Sequence, residues 1–326
     1  MVKPAISTAQ LDRDPLTSLS AVDGQVLTRG VVHGEHRLAG LDRFDDDALR
    51  ALLDRQPRQD LMVFSTGADP TVPTDWRLVD IGTADGADLV AAVQLGRFWL
   101  NVLYVDRHHP AMAALRDELF AELGAVIPDL VPESARLTLL VPSPGAVVYY
   151  HLDAGPNLLL QARGTKRIWI YPALDPKFAS RTDVEDIFAG VRIENLPYSR
   201  SFDTAASSYE LTPGTLLAWP QNAPHRVENG DSMNVSLAAE FVTRRSVRHQ
   251  HIWLANRFLS RSLRLPFHST RETRAGGAAK SFVYRAARKA RLERTKPEHS
   301  FNVELSLDLA APDGLGRLDR PHRATF

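Results

Sequence analysis

A histidine and an aspartate lie two positions apart in the run AVVYYHLD, as His151 and Asp153. On a β-strand, side chains two apart project from the same face, which would be a barrel interior if Tyr149 shares it. A second histidine, His225 in APHRVEN, follows a TPGTLLAWP run that predicts a strand and a turn. Two imidazoles and one carboxylate leave open positions on Fe(II) for a bidentate oxo acid and dioxygen. We therefore predict that His151, Asp153 and His225 form a catalytic metal centre.

Other histidine pairs are weaker candidates. The chain has eleven histidines, so roughly one HxD or HxE pair is expected by chance at average acid frequencies. His33 and Glu35 form such a pair, but they lie outside the β-rich region, and we interpret them as structural or surface residues. His249 and His251, in HQH, have no acid or cysteine beside them. A second metal pair there is therefore a minor alternative.

Lys166 is the candidate for binding an anionic co-substrate. It begins a predicted strand in QARGTKRIWIYP, fifteen residues after His151. Lysines at strand starts are usually solvated, but Ile168 and Ile170 indicate a buried strand, where an inward lysine needs an anionic partner. Such a lysine could bind the distal carboxylate of 2-oxoglutarate by a charge-assisted hydrogen bond. Asn157, six residues after His151, could donate its amide to the same co-substrate or to a substrate backbone.

These residues fall in a β-rich part of the chain, from 136 to 242. Short apolar runs alternate there with Gly, Pro and Asn, which predicts closely spaced strands in a sandwich or jelly-roll barrel. A polar insert from about 173 to 208 interrupts the pattern, and segments of that length tend to be lids or substrate surfaces. We expect a mainly β fold with helical additions.

The flanking segments predict the rest of the organisation. Residues 98 to 105 read as a buried strand, and 109 to 127 have the apolar spacing of an amphipathic helix. We divide the chain into a mixed α/β scaffold (1–95), a catalytic barrel (96–243) and a basic helical region with a turn-rich tail (244–326).

Composition limits the function classes. Of 326 residues, 44% are hydrophobic and 24% charged, as in an ordinary globular protein. Cysteine is absent, so disulfides, thiolate nucleophiles and cysteine zinc sites are excluded. No apolar run approaches the roughly 20 residues of a spanning helix, and the N-terminus lacks the apolar stretch of a secretory signal. We expect a soluble, cytoplasmic protein.

The net charge of zero hides an asymmetry. Residues 244 to 296 contain fifteen Lys or Arg against two acids, Glu272 and Glu293. The basic run RAARKARLERTK (285–296) could contact nucleic acid, but docking on the chain's own acidic remainder or on a twin subunit is favoured. The apolar residues at 252, 259 and 263 recur at helical spacing and would form an exposed stripe unless packed. We therefore expect an assembly element and a homodimer.

The run AVVYYHLDAGPNLLLQARGTKRIWIYP, followed by LTPGTLLAWPQNAPHRVENGDSMNVSLAAEF, resembles the cupin-like branch of the jumonji-C 2-oxoglutarate oxygenases. This family includes the asparaginyl hydroxylase of the hypoxia-inducible factor. The resemblance covers about 105 of the 326 residues and implies a double-stranded β-helix of the cupin type. It also implies that His151, Asp153 and His225 bind iron, and that Lys166 and Asn157 line the 2-oxoglutarate pocket.

The chain departs from the family pattern in two places. Family members commonly have Thr or Ser three residues before the first histidine, where this chain has Val148, which cannot hydrogen-bond. The last strand often has Asn where this chain has Ala238. Four residues could compensate, and the sequence does not choose between them: Thr138, Tyr149, Asn101 and Ser236.

The resemblance implies an Fe(II)- and 2-oxoglutarate-dependent hydroxylase whose substrate is a protein side chain or a small molecule. Two alternatives remain open. One is a cupin metalloenzyme without 2-oxoglutarate, in which Lys166 is structural. The other is a catalytically silent barrel that acts as a binding or regulatory module.

Overall fold

The strands of the computed structural model, which describes residues 15–266, 268–292 and 300–325, form two β-sheets. Within these residues the larger sheet has ten strands and the smaller has four. The larger sheet, in spatial order, consists of β1 (Val32–Glu35), β10 (Thr215–Ala218), β7 (Asn157–Arg163), β12 (Val235–Thr243), β5 (Leu130–Pro142), β4 (Phe98–Val102), β2 (Leu61–Ser65), β3 (Arg77–Asp80), β13 (Ser300–Leu307) and β14 (Leu315–Thr325). The smaller sheet consists of β6 (Val147–His151), β11 (His225–Asn229), β8 (Lys166–Ile170) and β9 (Ser207–Leu211).

Helices surround these sheets. They are α1 (Ala21–Val26), α2 (Asp46–Arg55), α3 (Gly86–Leu95), α4 (Val105–His108), α5 (Pro110–Val126), α6 (Arg181–Phe188), α7 (Arg244–Arg257) and α8 (Arg274–Lys289). Local sequence explains where two of them begin. Asp85 and Asp88 form a capping box at the start of α3, and Thr243 and Ser246 form one at the start of α7. Each box satisfies backbone N–H groups that a helix start leaves without partners.

Alternation along the strands separates two cores. On β7, Leu158 and Leu160 pack into the core on the helical side of the larger sheet. Leu159 instead joins the core between the two sheets, with Ile168 and Ile170 of β8. Every second residue of the inner strands therefore faces the space between the sheets, and the candidate site lies in that space.

The expected mainly β fold with helical additions is confirmed, and two facing sheets are consistent with a jelly roll. All three predicted segments contribute strands to the larger sheet. The tail joins it through β13, which pairs in parallel with β3 of the N-terminal segment. The tail expected to be turn-rich forms β13 and β14 instead. The prediction that the N-terminus lacks a secretory signal concerns residues 1–14, which lie outside the described residues. Residues 293–296 of the basic run also lie outside them.

The apolar stripe of the basic segment packs within the chain only in part, because Ile252 is buried whereas Leu263 is 51% exposed. Trp253 and Leu254 of α7 share a core with Val184, Ile187 and Phe188 of α6, in the insert. Ion pairs reinforce this docking, since Asp186 of α6 accepts from Arg257 at 3.2 Å and from Arg261 at 2.7 Å. None of the helices in the described part of the chain is long and apolar enough to span a membrane.

Candidate metal centre and anion pocket

Strand pairing brings the two histidines together. His151 ends β6 and lies directly opposite His225, which begins β11. The next pair along the two strands is Val148 opposite Val227. Between these pairs β6 has one more residue than β11, which is a β-bulge. The imidazole centroids are 4.1 Å apart. The ring of Trp219 also packs against His225, with the ring centroids 4.6 Å apart.

Backbone carbonyls fix the orientation of both rings. Nδ1 of His151 donates to the carbonyl of Tyr149 at 2.8 Å, and Nδ1 of His225 donates to that of Ala223 at 3.1 Å. In the neutral ring, Nδ1 then has the proton and Nε2 has a free lone pair. Both Nε2 atoms face the Asp153 carboxylate, at 3.9 Å for His151 and 3.8 Å for His225. These distances are too long for hydrogen bonds but place three ligand atoms around one point.

The protonation states suit a cation. Burial lowers the pKa of both His151 and His225 to about 4, so both rings are neutral at pH 7. Burial also raises the pKa of Asp153, because its negative charge lacks a full counter-charge in the protein alone. A divalent ion would supply that charge. Among the described residues, His151, Asp153 and His225 are the one group of three or more His, Asp or Glu residues found to be close enough to hold a metal.

Asp153 lies beyond the end of β6, and contacts from several segments fix its position. Nδ2 of Asn157 is 3.4 Å from Oδ2 of Asp153, and Nδ2 of Asn222 donates to its backbone carbonyl at 3.1 Å. On the other side, the N–H of Leu152 donates to the carbonyl of Glu194 at 3.1 Å. The loop that carries the carboxylate is thus held by two distant parts of the chain.

A cavity of about 290 Å³ between the two sheets adjoins these three residues. Lys166 lies on the interior face of β8 with Ile168 and Ile170, and it is 2% exposed. Its ammonium has no hydrogen-bond or carboxylate partner among the described residues; Nζ lies 5.8 Å from the centroid of the Trp99 ring. Burial lowers the pKa of Lys166 to about 7. A buried amine without a counter-ion points to an anionic ligand.

Three of the four residues predicted to compensate for Val148 line the cavity. They are Thr138, Tyr149 and Asn101, and the same cavity is lined by Asn157 and Val148. Trp99 donates from Nε1 to Oδ1 of Asn101 at 2.6 Å, which leaves the Asn101 NH₂ group for a ligand.

Ser236 is placed elsewhere. It does not line the cavity, and its hydroxyl donates to Oε1 of Gln161 at 2.6 Å. Its proposed role in co-substrate binding is therefore not supported, because its hydrogen-bonding capacity is used within the protein. Ala238, two residues further along β12, does line the cavity but offers no polar group.

The weaker histidine candidates have other surroundings. His33 and Glu35 lie exposed on β1, an edge strand. His249 and His251 do not converge, since His249 is buried and hydrogen-bonded to Asn222 and Glu272. The ring of His251 instead packs 5.0 Å from that of Tyr284.

Glu194 is a site residue that the sequence did not reveal. Its Oε1 accepts from the N–H of Ala154 at 3.3 Å. The enclosing protein and the negative charge of Asp153 raise the pKa of Glu194 to about 8, although the residue still presents surface to solvent. The one available signal was its place in the polar insert, which was expected to form a lid or substrate surface.

A larger groove, of about 600 Å³, adjoins the cavity. The groove and the cavity share Trp76, Asn101, Tyr149 and Glu194. The other walls of the groove come from the N-terminal strands, the insert and helices α7 and α8. The candidate metal centre is therefore reached through a passage lined by several parts of the chain.

Comparison with solved structures shows a shared fold. The chain resembles an X-ray structure of Escherichia coli ycfD with a TM-score of 0.50 and 18% identity, covering 86% of this chain and 70% of that one. A structure of YcfD, described as a ribosomal oxygenase from Escherichia coli in complex with cobalt and 2-oxoglutarate, has a TM-score of 0.46 and 18% identity, and covers 80% of this chain and 61% of that one. The corresponding complex with cobalt and succinic acid also has a TM-score of 0.46 and 18% identity, and covers 87% and 69%. No family model matches the chain, and no curated protein matches its sequence.

Proposed function

We propose that the chain is an Fe(II)- and 2-oxoglutarate-dependent oxygenase of the hydroxylase type, in the jumonji-C or cupin-like family. One observation carries this proposal. A single cavity contains both a His–Asp–His cluster, in which both Nε2 lone pairs are available, and a buried lysine that has no counter-ion among the described residues. The shared fold with ycfD agrees with the proposal, which depends on the chain's own residues.

The metal ligands in this proposal are His151, Asp153 and His225. Two imidazoles and a carboxylate on one side of an ion are typical of non-haem Fe(II) oxygenases. When bound, iron with 2-oxoglutarate and dioxygen supplies the oxidation of a substrate C–H bond, with succinate and carbon dioxide as products. The strand pairing, the two carbonyl acceptors and the Asp153 loop set the ligand geometry in advance.

Lys166 binds the distal carboxylate of the co-substrate. Thr138 and Asn101 line the same cavity and can donate hydrogen bonds to that carboxylate, as Thr or Ser at the position of Val148 does in relatives of the family. The aromatic rings of Trp99, beside Lys166, and of Trp219, beside His225, also line the cavity. We infer that Lys166 carries most of the binding energy, because charge-assisted hydrogen bonds in a dry site are the strong ones.

The substrate, a protein side chain or a small molecule, enters through the larger groove. Tyr149 and Glu194 lie where groove and cavity meet, and can contact the part of the substrate nearest to the metal. Neither alternative explains the cavity as well. A metalloenzyme without an oxo acid would leave Lys166 unpaired, and a silent barrel would not require two imidazoles with free Nε2 atoms.

The metal assignment is tested by elemental analysis of purified protein reconstituted with Fe(II) under anaerobic conditions. Asp153→Ala should lose bound iron and all succinate release, because the remaining histidines provide two ligands only. His33→Ala is the matched control, since it removes the histidine of the second HxE pair, and it should retain iron. Unchanged iron stoichiometry in Asp153→Ala would show that the assignment is wrong.

The co-substrate assignment is tested with Lys166→Met. This variant should weaken 2-oxoglutarate binding by roughly 2 to 4 kcal/mol, the scale for losing one partner of a buried charge pair, while iron binding is retained. Arg167→Met is the control, because Arg167 is the next residue and is exposed on the opposite face of β8. Calorimetric titration that gives equal 2-oxoglutarate affinity in Lys166→Met and wild type would favour the metalloenzyme without 2-oxoglutarate.

A further inference from the structure

The position of Asp153 depends on contacts from other segments more than the positions of the other two candidate ligands do. His151 and His225 are opposite each other on paired strands, but Asp153 follows the end of β6 and has no strand partner. Two amide side chains contact this loop from one segment. Nε2 of Gln221 donates to the carbonyl of Ala154, and Nδ2 of Asn222 donates to that of Asp153, each at 3.1 Å.

Asn222 is itself held by helix α7. The residue is 2% exposed and has a φ of 63°, in the left-handed region that Asn tolerates better than most residues. Because its NH₂ group donates to a carbonyl, its Oδ1 must be the atom that faces His249. Nε2 of His249 donates to this oxygen at 3.0 Å.

The contacts continue away from the site. Nδ1 of His249 lies 2.9 Å from Oε1 of Glu272, and Glu272 also pairs with Arg245 at 2.9 Å. His249 is 6% exposed, so solvent contributes little to its orientation. A continuous series of polar contacts therefore runs from the basic C-terminal region to the backbone of Asp153. Both contacts of His249 are hydrogen bonds when its two ring nitrogens are protonated, because both partners are acceptors.

We propose that His249, acting through Asn222, is a positioning residue for Asp153. The basic C-terminal helix α7 thereby sets the geometry of the carboxylate ligand, in addition to covering the insert. This inference depends on the proposed metal centre, because it assigns a role to His249 only if Asp153 binds the ion. Partners behind metal ligands typically change metal affinity or activity by 10- to 100-fold when removed.

The test measures Co(II) and Fe(II) affinity of the folded protein by anaerobic titration. His249→Leu should weaken metal binding by about tenfold. His249→Gln should restore most of the affinity, because its side-chain amide can still donate to Asn222. His251→Leu is the matched control on the same helix, since its ring packs against Tyr284, and it should bind metal as the wild type does.

A double-mutant cycle separates positioning from loss of stability. Asn222→Gly removes the amide but keeps the positive φ accessible, and His249→Leu should have no further effect on metal affinity in that background. Additive effects of the two substitutions, or an equal loss in His251→Leu, would overturn the proposal. So would wild-type affinity in His249→Leu.

The proposed function fails in a different way. If Asp153→Ala leaves metal affinity unchanged, the metal centre itself is wrong. If Asp153→Ala abolishes metal binding while His249→Leu does not change it, the metal centre stands and the positioning role is rejected.

Discussion

Lys166 limits the chemistry of the cavity more than any other single residue. Lys166 is 2% exposed and has no carboxylate partner among the residues that the structure describes. Burial of its charged form therefore costs free energy, and this cost lowers the pKa of Lys166 to about 7. At neutral pH the free site is therefore a mixture of charged and uncharged amine. An anionic ligand favours the charged form, so ligand binding and proton binding are coupled.

This coupling predicts that the affinity for 2-oxoglutarate falls as the pH rises above about 7. Below that value Lys166 is already protonated, and affinity should be nearly constant. Above it, each complex formed must take up a proton, and affinity should fall by up to tenfold per pH unit until the pKa of the complex is reached. Calorimetry in buffers of different ionisation enthalpy measures this uptake, and affinity that does not change between pH 7 and 9 would contradict it.

The candidate ligands and Lys166 could be picked from the sequence because their signals are local. The two-residue spacing singled out His151 and Asp153, although Asp153 lies beyond the end of β6 and not on the strand. The apolar neighbours of Lys166 predicted its inward direction. Glu194 and Asn222 could not be found in this way. Each reaches the Asp153 loop from a distant segment, and nothing in the residues beside Asn222 indicates that its amide faces a carbonyl 69 positions earlier.

At the scale of single elements, the bulge in β6 decides which side chains face the cavity. Strict alternation would put Val148 and His151 on opposite faces, since they are three apart. Because the bulge inserts an extra residue between them, both line the cavity. The sequence has no glycine or proline at this point to indicate a bulge, so only the family resemblance suggested that this position faces inward.

The bulge predicts that Val148→Thr tightens binding of 2-oxoglutarate. The new hydroxyl would face the co-substrate and add one hydrogen bond, worth about 1 kcal/mol, or roughly fivefold in affinity. Without ligand, the same hydroxyl lacks a partner and should lower stability by about 1 to 3 kcal/mol.

Val147→Thr is the control for this prediction, because Val147 does not line the cavity. Thermal unfolding with and without 2-oxoglutarate compares the two variants. If the co-substrate stabilises Val148→Thr no more than it stabilises the wild type, the position does not contact the ligand.

The insert illustrates what local patterns leave out. Its length and polarity predicted a lid or substrate surface, and part of it does line the groove. It also supports the candidate metal ligands, because Asn195 forms a bridge with His151 and Glu194 contacts the Asp153 loop on both sides of the carboxylate. This second role arises from the return of the chain to the end of β6, which no short sequence window contains.

At the scale of the whole molecule, the basic C-terminal region is joined to the acidic remainder. Arg257 and Arg261 pair with Asp186 of the insert, and Arg244 lies 3.6 Å from Asp129. These pairs use positive charge that phosphate binding would otherwise need. They favour docking on the chain itself over a nucleic-acid surface, while the expected homodimer stays a prediction.

Truncation after Val242 should therefore yield an unstable, aggregating chain, since α7 completes an internal core. Ile252, Trp253 and Leu254 are each 5% exposed or less, and burial of each contributes roughly 1.5 to 3 kcal/mol. Their loss approaches the whole stability of a typical domain, about 5 to 15 kcal/mol, and it also removes the support of Asn222. Light scattering and thermal unfolding of the truncated and full-length chains measure the effect.

The control for truncation is the double variant Leu263→Ser, Leu265→Ser. These leucines are 51% and 41% exposed, so they belong to the same segment but contribute little to the internal core. We expect the double variant to keep the mass and the unfolding temperature of the wild type. If the double variant instead has half the wild-type mass, the segment joins two subunits. If the truncated chain is soluble and binds metal with wild-type affinity, α7 supports neither the core nor the Asp153 loop.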